Sequence, residues 1–105
     1  MKPVTVINRL VIKPGKIDEF IEAQQKFAAT LPPCGLLGGR MYRGVDGQSA
    51  VLVSLFQSKD AQEEIQRRAD FKEHLRKLQP LVESSTPLLY EEAYTYGDFE
   101  QHQKG

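Results

Sequence analysis

Apolar positions recur with a period of two at the start of the chain, where Val4, Val6, Leu10 and Ile12 share one face of a predicted strand over 3–13. Asn8 falls among them, a polar amide on the apolar side. Pro14-Gly15 stops the strand, and from Ile17 the period changes. Ile17, Phe20, Ile21, Gln24, Phe27, Ala28 and Leu31 follow i, i+3, i+4 spacing, which predicts an amphipathic helix ending before Pro32-Pro33. Two further strands, 36–43 and 50–57, are expected to form a hairpin around Val45-Asp46-Gly47-Gln48, since Asp-Gly is a turn signal between apolar runs. Ser58 is the expected N-cap of a second helical region, with Asp60 in its first turn. That region reads as two parts. Ala61 and Ile65 give the first a thin stripe, and Asp70-Phe71-Lys72-Glu73 looks like a capping-box restart feeding Phe71, Leu75 and Leu78 before Pro80 closes it. A last strand is expected over 88–96, carrying Tyr90, Tyr94 and Tyr96 on one face, followed by a polar tail at 98–105 that should fray.

The resulting order, β-α-β-β-α-β, implies an α+β domain over 1–97. Each helix connects two parallel strands, and right-handed crossovers put both helices on one side of the sheet. The other side is apolar as well, because Val51, Val53 and Leu55 alternate with Ala50, Leu52 and Phe56, and Ile7 and Val11 lie opposite the Asn8 face. Two helices cannot cover both faces. The expected solution is a homodimer pairing sheet against sheet.

At 105 residues the chain is expected to form one domain, and its 14 basic and 14 acidic residues leave no field to attract nucleic acid or an acidic membrane. The start MKPVTV lacks the pattern of a signal peptide, and no apolar run approaches the roughly 20 residues that span a bilayer. A cytoplasmic location is expected. Cys34, the one cysteine, sits in a Pro-Pro-Cys-Gly loop with no metal-binding or redox spacing around it. No cluster has metal-ligand spacing, and no glycine-rich loop leads from a strand into a helix to cradle phosphate. No metal or cofactor is expected from these patterns.

The candidate chemistry rests on few residues. Asn8 either satisfies a neighbouring backbone group or a helix end, or points into a pocket between sheet and helices and holds a substrate oxygen. His74 lies at the edge of the Phe71, Leu75, Leu78 stripe. It is either a boundary residue or the general base, being the ordered side chain whose usual pKa is near neutrality. His102 lies in the tail. Arg40 and Tyr42 share a strand face beside Gly38, placed either to flank a ligand or to cross the dimer seam. Phe20, Phe27 and Phe71 have core spacing.

Several stretches resemble the antibiotic biosynthesis monooxygenase family. They are Asn8-Arg9 with Lys13-Pro14-Gly15-Lys16, Gly35 through Tyr42-Arg43, and the phrase LVSLFQSKDAQEEIQRRADFKEHL over 52–75. The resemblance spans residues 3–97 and implies a ferredoxin-like fold with an antiparallel sheet, pairing as a dimeric α/β barrel. It also implies an oxygenase without metal or flavin, acting on a small phenol- or quinol-like aromatic substrate and dioxygen. Asn8 and His74 would be the catalytic residues, with Ile65, Phe71, Leu75, Arg40 and Tyr42 contacting substrate. A haem-degrading branch of similar fold uses an asparagine, a tryptophan and a histidine. Asn8 stands at the asparagine position, Ile65 at the tryptophan position, and Leu75 at the histidine position, one residue after His74. Two functions follow: a cofactor-independent monooxygenase, or a non-catalytic small-molecule or haem-binding stress-response module on the same barrel. An RNA-recognition module shares the element order but needs exposed aromatics and a basic setting, whereas the third strand here offers Val51, Val53 and Leu55.

Overall fold

β1 (Val4–Ile12) is the strand on which the fold is built, in a computed structural model that describes residues 2–31 and 34–102. It pairs antiparallel with β3 (Ser49–Phe56) on one side and β4 (Val82–Tyr90) on the other. β2 (Leu36–Arg43) extends the sheet beyond β3, giving the order β2-β3-β1-β4. With α1 (Ile17–Thr30) after β1, and α2 (Lys59–Gln66) and α3 (Ala69–Leu78) between β3 and β4, the architecture is α+β and ferredoxin-like.

The even-numbered face of β1 carries the core. Leu10 and Ile12 are buried with Ala50 of β3, Phe20 of α1, Leu78 of α3 and Leu81, and Ile21, Met41 and Leu52 pack around them. Burying such side chains contributes roughly 1.5–3 kcal/mol each, so this cluster fixes which sheet face the helices cover. Ser58 caps α2 as its sequence suggests, its Oγ accepting from the Ala61 N–H at 3.1 Å. The hairpin turns where Gly47 adopts a φ of 76°, and Asp46 Oδ1 accepts from the N–H groups of Gln48 and Ser49. Gly35 brings the start of β2 against α2, because a Cβ there would lie 2.2 Å from that of Ala61.

Three expectations change. The last strand runs over Val82–Tyr90 rather than 88–96, so Tyr94 and Tyr96 lie outside the sheet, 78% and 83% exposed. The stretch Glu83 to Pro87 lacks apolar alternation, but β4 is an edge strand, and an edge tolerates polar residues and proline because only one side needs a ladder. The restart at Asp70 is displaced: Arg68 is the N-cap of α3, and Asp70 instead accepts from the Arg68 guanidinium at 2.8 and 3.0 Å. In α3 Leu75 faces out, 49% exposed, and His74 faces in, 8% exposed. Finally, residues 99–102 of the tail form a helical turn, α4 (Phe99–His102), in which Glu100 pairs with Arg40 and the Phe99 ring lies 5.5 Å below that guanidinium. None of the helices among the described residues is long and apolar enough to cross a membrane.

Candidate functional site

Burial along β1 falls off from one end to the other. Leu10 and Ile12 are buried, whereas Asn8, Val6 and Val4 on the same face are half-buried. In the row that crosses the sheet at Asn8, its partner Leu52 and the adjoining Met41 are also half-buried, and Pro87 on β4 is exposed. The layer between sheet and helices is therefore tightly closed around Leu10 and looser around Asn8.

His74 lies on α3, above the same face of the sheet. The Lys13 N–H donates to the Leu81 carbonyl at 2.9 Å, tying the end of β1 to the turn that follows α3. Stepping back from that tie, Leu78 joins Leu10 in the core, and His74 lies one turn earlier in the helix as Asn8 lies two residues earlier in the strand. His74 packs against α1, its ring stacked on Phe27 with centroids 4.0 Å apart and planes 5° from parallel. Phe71 closes on the same Phe27 ring at 6.2 Å. The His74 Nε2 lies 2.5 Å from Gln24 Oε1, so with Gln24 accepting, Nε2 carries the proton and Nδ1 is the basic nitrogen. Burial lowers the His74 pKa, and nearby Lys77 lowers it further, so the imidazole is neutral at physiological pH. A neutral imidazole with one nitrogen fixed as donor is prepared to accept a proton at the other.

Asn8 is held differently. Its Oδ1 accepts from Ser85 Oγ at 3.0 Å, on the neighbouring edge strand, which orients the amide and leaves its Nδ2 hydrogens without a partner among the described residues. The sequence does not single out Ser85 or Gln24 as orienting groups. Gln24 is visible only as a polar member of an apolar stripe, and Ser85 only through the cross-strand register.

The remaining predicted site residues are dispersed. Ile65 is buried under α2, and Phe71 is half-buried beside Phe27. Leu75 faces outward. Arg40 and Tyr42 are in register with Val53 and Val51, which puts them on the opposite face of the sheet from Asn8. Arg40 there donates to the Tyr42 hydroxyl at 3.5 Å and to Glu100. A concavity of about 350 Å³ also opens on that opposite face, lined by Arg9, Val11, Ser49, Val51, Ser84 and Thr86, and contains neither Asn8 nor His74. No group of histidine, cysteine and carboxylate side chains suited to a metal ion occurs among the described residues.

The comparisons with known proteins agree with the fold. A family model described as antibiotic biosynthesis monooxygenase matches residues 3–77. The fold is similar to that of SnoaB, a cofactor-independent oxygenase from Streptomyces nogalater, with a TM-score of 0.76 and 22% identity over 93% of this chain and 100% of that one. It is also similar to a conserved protein from Methanosarcina mazei, with a TM-score of 0.77 and 18% identity over 88% of this chain and 94% of the other. No curated protein matches the sequence.

Proposed function

The chain belongs to the antibiotic biosynthesis monooxygenase family, whose model covers residues 3–77, and from that premise we propose a cofactor-independent monooxygenase acting on a small phenol- or quinol-like compound. What supports this reading is a half-buried Asn8, its amide oriented by Ser85, and a buried His74 on α3 bonded to Gln24, both on the helix-covered side of the sheet. The stoichiometry needs no outside reductant. A phenol bearing a ring C–H reacts with dioxygen to give a quinone and water, the substrate supplying all four electrons. His74 Nδ1 removes the phenolic proton, and the electron-rich ring adds to dioxygen, forming a carbon–oxygen bond. The imidazolium returns its proton to the terminal oxygen. Loss of the ring hydrogen as a proton, with departure of hydroxide from the O–O bond, makes the carbonyl and one water. The Asn8 Nδ2 hydrogens donate to the substrate oxygen as negative charge develops on it. Phe27 and Phe71 line a dry wall that favours this charge transfer.

A homodimer is part of the proposal. On the helix-free face Ile7, Val53 and Leu88 lie in one row, with Leu55 and Tyr90 in the next, and Leu55, Leu88 and Tyr90 are 40%, 52% and 45% exposed. An exposed apolar patch of this kind favours burial against a partner, and a second copy supplies an identical patch. Oxygen uptake with a panel of quinols, measured aerobically and anaerobically, tests the activity; no uptake with any of them refutes it.

A second reading, a non-catalytic small-molecule or haem-binding module, is favoured by the Asn8 carbonyl already being occupied by Ser85. Native mass spectrometry after incubation with quinones, lipids or haem would then find an unaltered molecule retained.

A further inference from the structure

Along the helix-covered face of β3, burial lapses in mid-strand and then returns. Ala50 is buried, Leu52 and Ser54 are half-buried, and Phe56 is buried again. Phe56 does not belong to the cluster around Leu10; it ends the strand at the other side of the lapse, where α2 packs on β3 and buries Ile65 and Gln62, each 5% exposed. Asn8 falls within the lapse through its pairing with Leu52. Gln62 shares the inward face of α2 with Ile65, three residues on. An amide so well buried should be hydrogen-bonded. Yet neither its side chain nor that of Ser54 makes a hydrogen bond among the described residues. No fully enclosed side-chain nitrogen or oxygen among them lacks a partner, so the little surface that Gln62 retains includes its amide atoms. An apolar side chain in that position would avoid the cost of burying an unpaired amide.

We infer that Gln62 is a further substrate-contacting residue, whose amide engages a second oxygen function on the ring that presents its reacting oxygen to Asn8. An amide serves either form of such a group, accepting from a hydroxyl or donating to a carbonyl, and the Ser54 hydroxyl is free to share it. A mostly apolar site with a few polar groups aimed into it orients a small molecule in this way. The inference takes the position of the ring from the proposed monooxygenase reading, and it concerns which compounds bind rather than how fast they react. It lies wholly on the helix-covered side of the sheet, so pairing of two copies through the other face leaves it intact.

The test titrates phenol, and separately hydroquinone, into the full-length ¹⁵N-labelled protein in oxygen-free buffer, where binding is read without turnover. Hydroquinone should bind about tenfold more tightly than phenol, the gain of one well-placed hydrogen bond, and should shift the side-chain amide resonances of Gln62 where phenol does not. Gln62→Leu should bind phenol as wild type does and hydroquinone no more tightly than phenol. It should also melt at the wild-type temperature or above, because an apolar side chain of similar size replaces an unpaired amide. A wild type that binds neither compound, or both equally, overturns the inference, as does a preference that survives in Gln62→Leu. So does a Gln62→Leu protein that melts well below wild type, since the amide then serves the fold. Oxygen uptake is scored separately: a protein that shows the hydroquinone preference but consumes no oxygen with any quinol refutes the monooxygenase reading and leaves this contact standing.

Discussion

Replacing His74 with alanine separates a buried structural residue from a boundary one. At the edge of an amphipathic stripe, as its sequence position suggests, the side chain would contribute little. In the structure it is 8% exposed, stacked on Phe27 and bonded to Gln24. The hydrogen bond contributes about 0.5–1.5 kcal/mol net, and the stack a further ~0.5–1.5 kcal/mol beyond its buried area. Truncation also leaves a gap between α1 and α3, which adds about 1 kcal/mol if the helices relax partly. The expected loss is therefore about 2–4 kcal/mol in all, a large share of the stability of a domain this size. His74→Phe is the informative companion. It keeps the ring and the stack, removes the hydrogen bond and the basic nitrogen, and lets half-exposed Gln24 regain water, so it should cost only about 1 kcal/mol while abolishing turnover. Urea unfolding followed by far-UV circular dichroism at pH 8, where the imidazole is neutral in both states, gives both values. A His74→Ala variant losing less than about 1 kcal/mol, or a His74→Phe variant losing as much as His74→Ala, would refute the packing argument.

Four further outcomes follow from the same geometry. Asn8→Ala removes a half-buried group whose partner, Ser85, is exposed, so stability should hardly change while kcat falls about 10²–10³-fold with little effect on KM; thermal melting with steady-state kinetics checks both. Because burial lowers the folded-state pKa of His74, the unfolded chain binds the extra proton between about 6.5, the ordinary value, and the lower folded one. Stability should therefore fall as pH drops through that window and be flat for this group above it. Melting curves from pH 5 to 7.5 should show this slope in wild type and not in His74→Phe. Val53→Asp puts a carboxylate in the middle of the helix-free face and should give monomer or insoluble protein, whereas an unchanged dimer by sedimentation would remove that face from the interface. Gly35→Ala forces its new methyl against Ala61 and should destabilise by about 1–3 kcal/mol, measurable by thermal melting.

The hairpin and the strand it follows were legible because local signals agree there: alternation in 36–43 and 50–57, an Asp-Gly turn, and a Ser58 cap all point the same way. β4 was misplaced because tyrosines advertise a strand more strongly than Glu-Ser-Ser-Thr-Pro does. What holds that segment in the sheet is the ladder offered by β1, not its own side chains. Asn8 was visible as a candidate, since one polar residue on an apolar face can be counted from the sequence. Its partner Ser85 was not, because the two are 77 positions apart and meet only through the register of β1 and β4.

The sequence by itself determined the kind and order of the four strands and of the helices between them, and which face of β1 turns inward, since these depend on periodicity and on residues a few positions apart. Only the tertiary structure decided the rotation of α3. A few tens of degrees separate a helix that buries Leu75 from one that buries His74, and the stripe in the sequence allows either. Contact with Phe27 and Gln24 on α1 selects His74, because a ring that can stack and donate a hydrogen bond gains more from that surface than an aliphatic side chain does. The separation of Arg40 and Tyr42 from Asn8 was likewise settled by the sheet: side chains on alternate strand positions can be close along the chain or across the register and still lie on opposite sides of a layer of backbone.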